Sequence, residues 1–399
     1  MSGVVVSGLG VAAPCGLTTA DFWASLVAGR SAFTPARALP GSGLIAAEIA
    51  ESAESADFRG LPIPVPGACD RSALLAVAAA RGAMADAGLT PGSVAPERVA
   101  VVIGNGGGGL TSLDTQYERL FVENKRPHPF AVVRAMGSSS ASWVSIAFGA
   151  QGPCFVVASA CASGTQAIGV AAQLVRAGIA DVAIAGGTEA PLSRGTLQAW
   201  NAMKIMSRTG CRPFSRDRDG LVVAEGAGIV ILEREAHARA RGRRPEVAVA
   251  GLGSGADAGD IVAPSSEGMA RAMRAALAEA DLSPADIAYV NAHGTGTRAN
   301  DRTEVQALRA VFGEAVPPVS STKAVTGHAL GAAGGLEAVA TVRAMTRSLA
   351  PPTAHLTDPD PELDIDAIPV EARAMPIAAA MSNSFAFGGL NASLVLRQI

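Results

Sequence analysis

Three side chains able to attack or to handle protons stand among small residues in this sequence. Cys161 lies in Ser159-Ala160-Cys161-Ala162-Ser163-Gly164. The apolar run from Cys154 to Ala160 predicts a buried strand, and the stretch from Cys161 to about Arg176 predicts a helix. A thiol at a helix start faces unpaired backbone N–H groups and the positive end of the dipole, which favour thiolate over thiol and make a nucleophile. His293, in Asn291-Ala292-His293-Gly294-Thr295-Gly296-Thr297, and His328, in Thr326-Gly327-His328-Ala329-Leu330-Gly331, each follow a predicted strand. Glycines beside them let a bulky ligand reach the ring. Asn383-Ser384-Phe385-Ala386-Phe387-Gly388-Gly389 sets two aromatics on a glycine turn, a hinged lid or a backbone N–H presented to substrate, with hairpin packing as the alternative. Cys15, Cys69, Cys154 and Cys211 are expected as buried small hydrophobes, and His128, His237 and His355 as surface or loop residues.

Segments so far apart in sequence need a frame to bring them together. Val- and Ile-rich runs bounded by glycine alternate with Ala-rich helical stretches, the pattern of an α/β fold whose sheet is covered on both faces. The chain also echoes itself. Ala85-Asp86-Ala87-Gly88-Leu89-Thr90-Pro91 returns as Ala278-Glu279-Ala280-Asp281-Leu282-Ser283-Pro284, each ending an Ala-rich stretch. Val99 to Ile103 then runs into Gly104-Asn105-Gly106-Gly107, and Ile287 to Asn291 into Ala292-His293-Gly294-Thr295. Val4 to Gly10 matches Val247 to Gly253 as an opening strand. Two similar α/β halves are expected, residues 1–244 with Cys161 and residues 245–399 with His293 and His328, and the site falls between them.

Composition narrows the function classes. The chain has 399 residues, 49% hydrophobic and 17% charged, which suits a compact enzyme with much covered surface and excludes disorder. Thirty-two basic against 35 acidic residues give a formal charge of −3, so no general field draws nucleic acid or an anionic membrane, and an acidic partner must meet a local basic patch. Five scattered cysteines without a C-x-x-C pair indicate neither a zinc site nor a disulfide framework, and no metal is expected. No apolar run reaches transmembrane length and no signal-peptide pattern opens the chain, so a cytoplasmic protein is expected.

Together the Cys161, His293 and Asn383–Gly389 segments, with Ser321-Thr322-Lys323 through Gly327-His328, resemble the β-ketoacyl-acyl-carrier-protein synthases of the elongating, Cys-His-His type, along nearly the whole chain. The resemblance implies a thiolase fold: duplicated α/β halves in an α-β-α-β-α stack. It implies that Cys161 takes an acyl chain from a carrier protein, and that malonyl carrier protein then loses carbon dioxide and attacks the acyl-cysteine. His293 and His328 would stabilise the enolate, the backbone N–H groups of Cys161 and Phe387 would hold the tetrahedral intermediate, and Lys323 would orient the site with Glu337 as ion partner, a plain salt bridge being the alternative. Thr295 and Thr297 correspond to threonines that bind the pantetheine arm, a place where turn chemistry alone also uses threonine. Phe385 is counted with the substrate-binding residues. Lys125, Arg126 and Lys204 lie where the family docks its acidic carrier. No cofactor is implied beyond the carrier's 4′-phosphopantetheine. A homodimer is implied, with a heterodimer containing a chain-length-factor-like subunit as the alternative.

Departures bear on substrate choice. Gly107 stands where an apolar side chain commonly closes the acyl pocket, so a deeper pocket and a longer or more rigid acyl chain are expected. Leu390 replaces a customary threonine, Val262 and Ala263 replace hydroxyl residues, and Gly67, Ala68 and Cys69 replace basic docking residues, which leans toward a specialised polyketide or modified fatty-acid pathway. Asp301 and Glu304 match family positions, and their spacing reads as a helix capping box without catalysis. The run Arg239, Arg241, Arg243, Arg244 reads as solvated. Gly8-Leu9-Gly10-Val11-Ala12-Ala13 matches a dinucleotide fingerprint, but no acidic residue follows about twenty positions on for the ribose. A thiolase would need a second, late cysteine, and the last here is Cys211.

Overall fold

The computed structural model describes residues 3–50, 60–61 and 66–399. Ten strands form its sheet: β1 (Val4–Ala12), β2 (Val99–Gly104), β3 (Cys154–Val157), β4 (Val182–Glu189) and β5 (Gly226–Arg234), then β6 (Val247–Ala256), β7 (Tyr289–Asn291), β8 (Val319–Ser320), β9 (Ala379–Ala386) and β10 (Leu390–Gln398). The spatial order is β8-β7-β9-β10-β6-β1-β5-β4-β2-β3. Counted within each half, both sets of five read 3-2-4-5-1 from the outer edge inward, with the same parallel and antiparallel pairs. The two sets meet at the opening strands, where Val5 pairs with Ala248.

Each set carries the same helices. In the first, α1 (Arg71–Ala87) and α3 (Ser139–Phe148) cover the outer face; in the second, α6 (Ser266–Ala280) and α7 (Arg298–Phe312) do so. Between the sets lie α4 (Ser163–Arg176) and α8 (Ala333–Arg347), each touching strands of both, so the layers run α-β-α-β-α. The α2 helix (Leu110–Tyr117) packs against α5 (Arg194–Ala202) at one end of the first half.

The sequence echoes have physical causes here. Gly88 (φ 68°) and Asp281 (φ 54°) both end their helices in the left-handed conformation, which frees the chain to turn back into the sheet. Gly8 and Gly10 of β1 lie so close to α1 that a Cβ would fall 2.2 and 1.9 Å from the carbonyl oxygens of Ala83 and Ala79; Gly251 and Gly253 of β6 stand in the same relation to Ala276 and Ala272 of α6, at 2.3 and 1.8 Å. The glycines of the apparent dinucleotide fingerprint are thus helix-packing positions.

Two sequence expectations are corrected by the sheet. Cys154 and Phe155 are exposed, because β3 is the outermost strand and its outer edge pairs with no other strand among the described residues. Apolar composition alone does not separate such an edge from a buried strand. Among the junction arginines, Arg241 is not merely solvated: it binds the fully buried Glu233 and the Ala87 carbonyl.

Candidate functional site

Two tight elbows aim the central helices at each other. Ala160 (φ 48°) and Leu330 (φ 46°) both take left-handed backbone that costs a side-chain-bearing residue strain, each in a 3₁₀ turn leading into α4 or α8. The helix starts touch backbone to backbone: a Cβ on Gly164 would lie 2.7 Å from the Gly335 nitrogen, and one on Gly334 2.4 Å from the Thr165 nitrogen. This contact carries the first half's Cys161 to the second half's histidines.

Cys161 Sγ lies 3.1 Å from His328 Nε2. The His293 ring stands edge-on to His328, with centroids 5.3 Å apart and planes at 84°. Lys323 Nζ donates to the His293 carbonyl at 2.6 Å, faces His293 Nδ1 at 3.3 Å and pairs with Glu337, all out of contact with solvent. With Nδ1 facing an ammonium, His293 carries its proton on Nε2. Burial holds both imidazoles well below the usual histidine range, and the Lys323 charge adds to this. Burial pushes the Cys161 thiol up to about 12, the reverse of the lowering expected from a helix tip, while Lys323 pulls it back toward thiolate.

Asp301 and Glu304 do more than cap a helix. The cap of α7 is Thr297, whose hydroxyl accepts from the Asn300 N–H. Glu304 accepts from the N–H groups of His293 and Gly294, both at 2.8 Å, and Asp301 from those of Gly296 and Phe214 at 3.2 and 3.0 Å. These buried carboxylates fix the His293 turn from below. Glu189 plays the matching part in the first half: it accepts from Gly106 at 2.7 Å and from Gly107 and Gly331 at 3.1 Å, and burial pushes it up to about 7. Nothing in the sequence analysis singled out Glu189. Its partners are 82, 83 and 142 residues away, so no local spacing could reveal it.

A largely apolar cavity of about 850 Å³, counting its open mouth, leads down to Cys161, His293 and His328. Thr295, Thr297, Phe385, Phe387 and Val262 line it. Phe385 packs edge-on against His293, Phe387 stacks on Trp200 at 6.1 Å, and the Gly388 N–H bonds the Ile261 carbonyl at 2.7 Å. Lys204 is exposed next to the cavity-lining Met203; Lys125 and Arg126 are also exposed, with Lys125 paired to Glu123. Gly107 is not in the cavity wall. A Cβ there would fall 2.3 Å from Leu110 Cδ1, so Leu110 fills the room that the missing side chain was expected to leave open.

A buried thiol faced by two neutral imidazoles, at the crossing of two duplicated halves, defines a condensing acyltransferase of the thiolase fold. The chain belongs to the β-ketoacyl synthase family: the family's N-terminal domain matches residues 1–238 and its C-terminal domain residues 246–357. It is 42% identical to nodulation protein E of Rhizobium sp. (strain N33) over 402 residues, covering 99% of both chains. It is 41% identical to 3-oxoacyl-[acyl-carrier-protein] synthase 2 of Staphylococcus aureus (strain COL) over 339 residues, 82% of each. Among solved structures, the ishigamide ketosynthase/chain length factor superposes with a TM-score of 0.95 at 31% identity, covering 100% of this chain and 99% of that one.

Proposed function

We propose that the chain condenses an acyl group held on Cys161 with malonyl carrier protein, yielding 3-oxoacyl carrier protein and carbon dioxide. The observation that carries this is Cys161 Sγ at 3.1 Å from His328 Nε2, with the second neutral imidazole beside it at the floor of an apolar cavity. In the first step Cys161 displaces the carrier's thiol from the acyl thioester, and its proton leaves with that thiol. The malonyl carboxylate then departs as carbon dioxide, and its bonding electrons form an enolate whose oxygen accepts from the Nε2–H groups of His293 and His328. Neutral imidazoles suit this step, since each offers an N–H without a competing proton transfer. The enolate carbon attacks the acyl carbonyl, the backbone N–H groups of Cys161 and Phe387 hold the oxyanion, and collapse expels the Cys161 thiolate.

Thr295 and Thr297 are suited to grip the pantetheine arm in the cavity, and Lys204, Lys125 and Arg126 to meet an acidic carrier near its mouth. No cofactor beyond that arm is needed by these steps. Likeness to a nodulation protein and to a ketosynthase/chain length factor supports a specialised polyketide or modified fatty-acid pathway, and the latter also supports a second reading, the active member of a heterodimer. Five unpaired cysteines fit the cytoplasm, and among the described residues no helix is long and apolar enough to cross a membrane.

The test is intact-mass spectrometry after incubation with a panel of acyl carrier proteins. One acyl adduct on Cys161 is expected, absent in Cys161→Ser; loading that survives the substitution overturns the reading. We place the far end of the acyl chain beyond this cavity, against the Gly107 turn; in the same assay Leu110→Ala should then admit longer or more rigid chains and Gly107→Ile, by adding bulk beside Leu110, should exclude them. An unchanged chain profile in both would refute a pocket in this direction.

A further inference from the structure

Cys161, His293 and His328 come from three remote segments, and one ligating atom from each lies within 4.8 Å of the other two; no other such group of histidine, cysteine and acidic side chains occurs among the described residues. We infer that these three atoms also form an inhibitory site for a thiophilic divalent cation such as Zn²⁺, in which metal and acyl chain compete for one sulfur.

Tetrahedral zinc with Zn–S near 2.3 Å and Zn–N near 2.0–2.1 Å places one sulfur and two nitrogens roughly 3.3–3.6 Å apart. The Cys161–His328 edge, at 3.1 Å, is close to that span, and the longest edge, within 4.8 Å, has at most roughly 1.5 Å to close. The ligand chemistry also fits. Zinc takes thiolate and imidazole nitrogen, and the three residues offer one sulfur and two ring nitrogens. The nearby ammonium of Lys323 opposes an arriving cation, and its ion pair with Glu337 offsets part of that charge. The cavity leaves the fourth side open, so the ion enters hydrated and can keep one water.

The protons balance as follows. The thiol proton passes to solvent as sulfur binds. The His293 proton moves from Nε2 to Nδ1, and Lys323 gives up its 3.3 Å contact there while retaining the His293 carbonyl at 2.6 Å and Glu337. His328 places its proton on Nδ1, which is buried without a partner in the free enzyme. The bound state has neither a free sulfur to acylate nor the two Nε2–H groups that would hold an enolate, and chelation restores both.

This rests on the positions of three atoms rather than on the condensation reading, and the test needs no turnover. Tag-free protein in metal-stripped buffer is titrated with Zn²⁺ alone, and alkylation of Cys161 by iodoacetamide is followed by intact mass. One equivalent should slow labelling by about tenfold or more, with recovery on adding EDTA. Co²⁺ as a probe should give the thiolate charge-transfer and tetrahedral ligand-field bands. The Co²⁺ bands should be lost in Cys161→Ser, and bands and protection alike should be weakened in His293→Ala and His328→Ala and kept in Cys154→Ser. Unprotected Cys161 in the parental protein, a six-coordinate Co²⁺ spectrum, or loss of the signal in Cys154→Ser would each overturn the assignment, and the first requires no variant to fold.

Discussion

At Cys161 two local effects oppose each other, and burial outweighs the helix tip: the free enzyme rests with a thiol pushed up to about 12. Because only thiolate reacts, alkylation at Cys161 should climb about tenfold per pH unit through the alkaline range instead of levelling near neutrality. Lys323 is the cation that favours the ionised form, so Lys323→Ala should slow labelling at every pH below that limit; a faster rate would show that the ammonium does not act on the sulfur. The Lys323–Glu337 pair is 1% and 3% exposed, and removing one partner strands a buried charge. Glu337→Ala should therefore cost about 3–5 kcal/mol of unfolding free energy, read from a denaturant midpoint. At this scale the three side chains that the fold brings together were legible in the sequence, because a thiol and two imidazoles set in glycine and alanine stand out from their surroundings. It hid the carboxylates beneath them. Asp301 and Glu304 looked like capping chemistry on their own helix, and their hydrogen bonds to the preceding turn exist only once that turn is folded over them.

Among elements, the decisive contact is the crossing of α4 and α8 at Gly164, Gly334 and Gly335. Since backbone meets backbone there, with Thr165 Oγ1 the one side-chain atom against Gly334, the sulfur-to-imidazole distance is set largely by main chain. Gly164→Ala puts a methyl 2.7 Å from the Gly335 nitrogen. It should destabilise by about 1–3 kcal/mol and depress activity more than stability, as a kcat measurement beside a melting curve would tell. The repeated helix-stop motif made the duplication legible, since a left-handed cap followed by a turn recurs wherever the same helix must feed the same sheet. The edge position of Cys154–Val157 was not legible, because strand order depends on pairings among segments and not on the segment itself.

Seen whole, the molecule presents an apolar face. Phe121, Val122 and Val132 are 72%, 73% and 78% exposed. Apolar area of this kind is a candidate for a subunit contact. Phe121→Asp with Val132→Asp should shift sedimentation toward a single chain, and co-expression with a paralogue should show which partner this face prefers. If the double variant sediments as the parent does, the contact lies elsewhere. This face was not legible in the sequence, since exposed apolar residues have the same composition as residues that meet a core.

The paired elbows were built alike, yet only one holds sulfur. The residue in the second elbow that occupies the place of Cys161 is Gly331, where any side chain would meet the Gly106 nitrogen at 2.4 Å and Glu189 at 2.6 Å. Writing a cysteine into that spot cannot hand the enzyme a spare warhead, because the room was surrendered to a carboxylate that braces the opposite turn. The likeness of the two halves is therefore closed to a second thiol by any single substitution at Gly331.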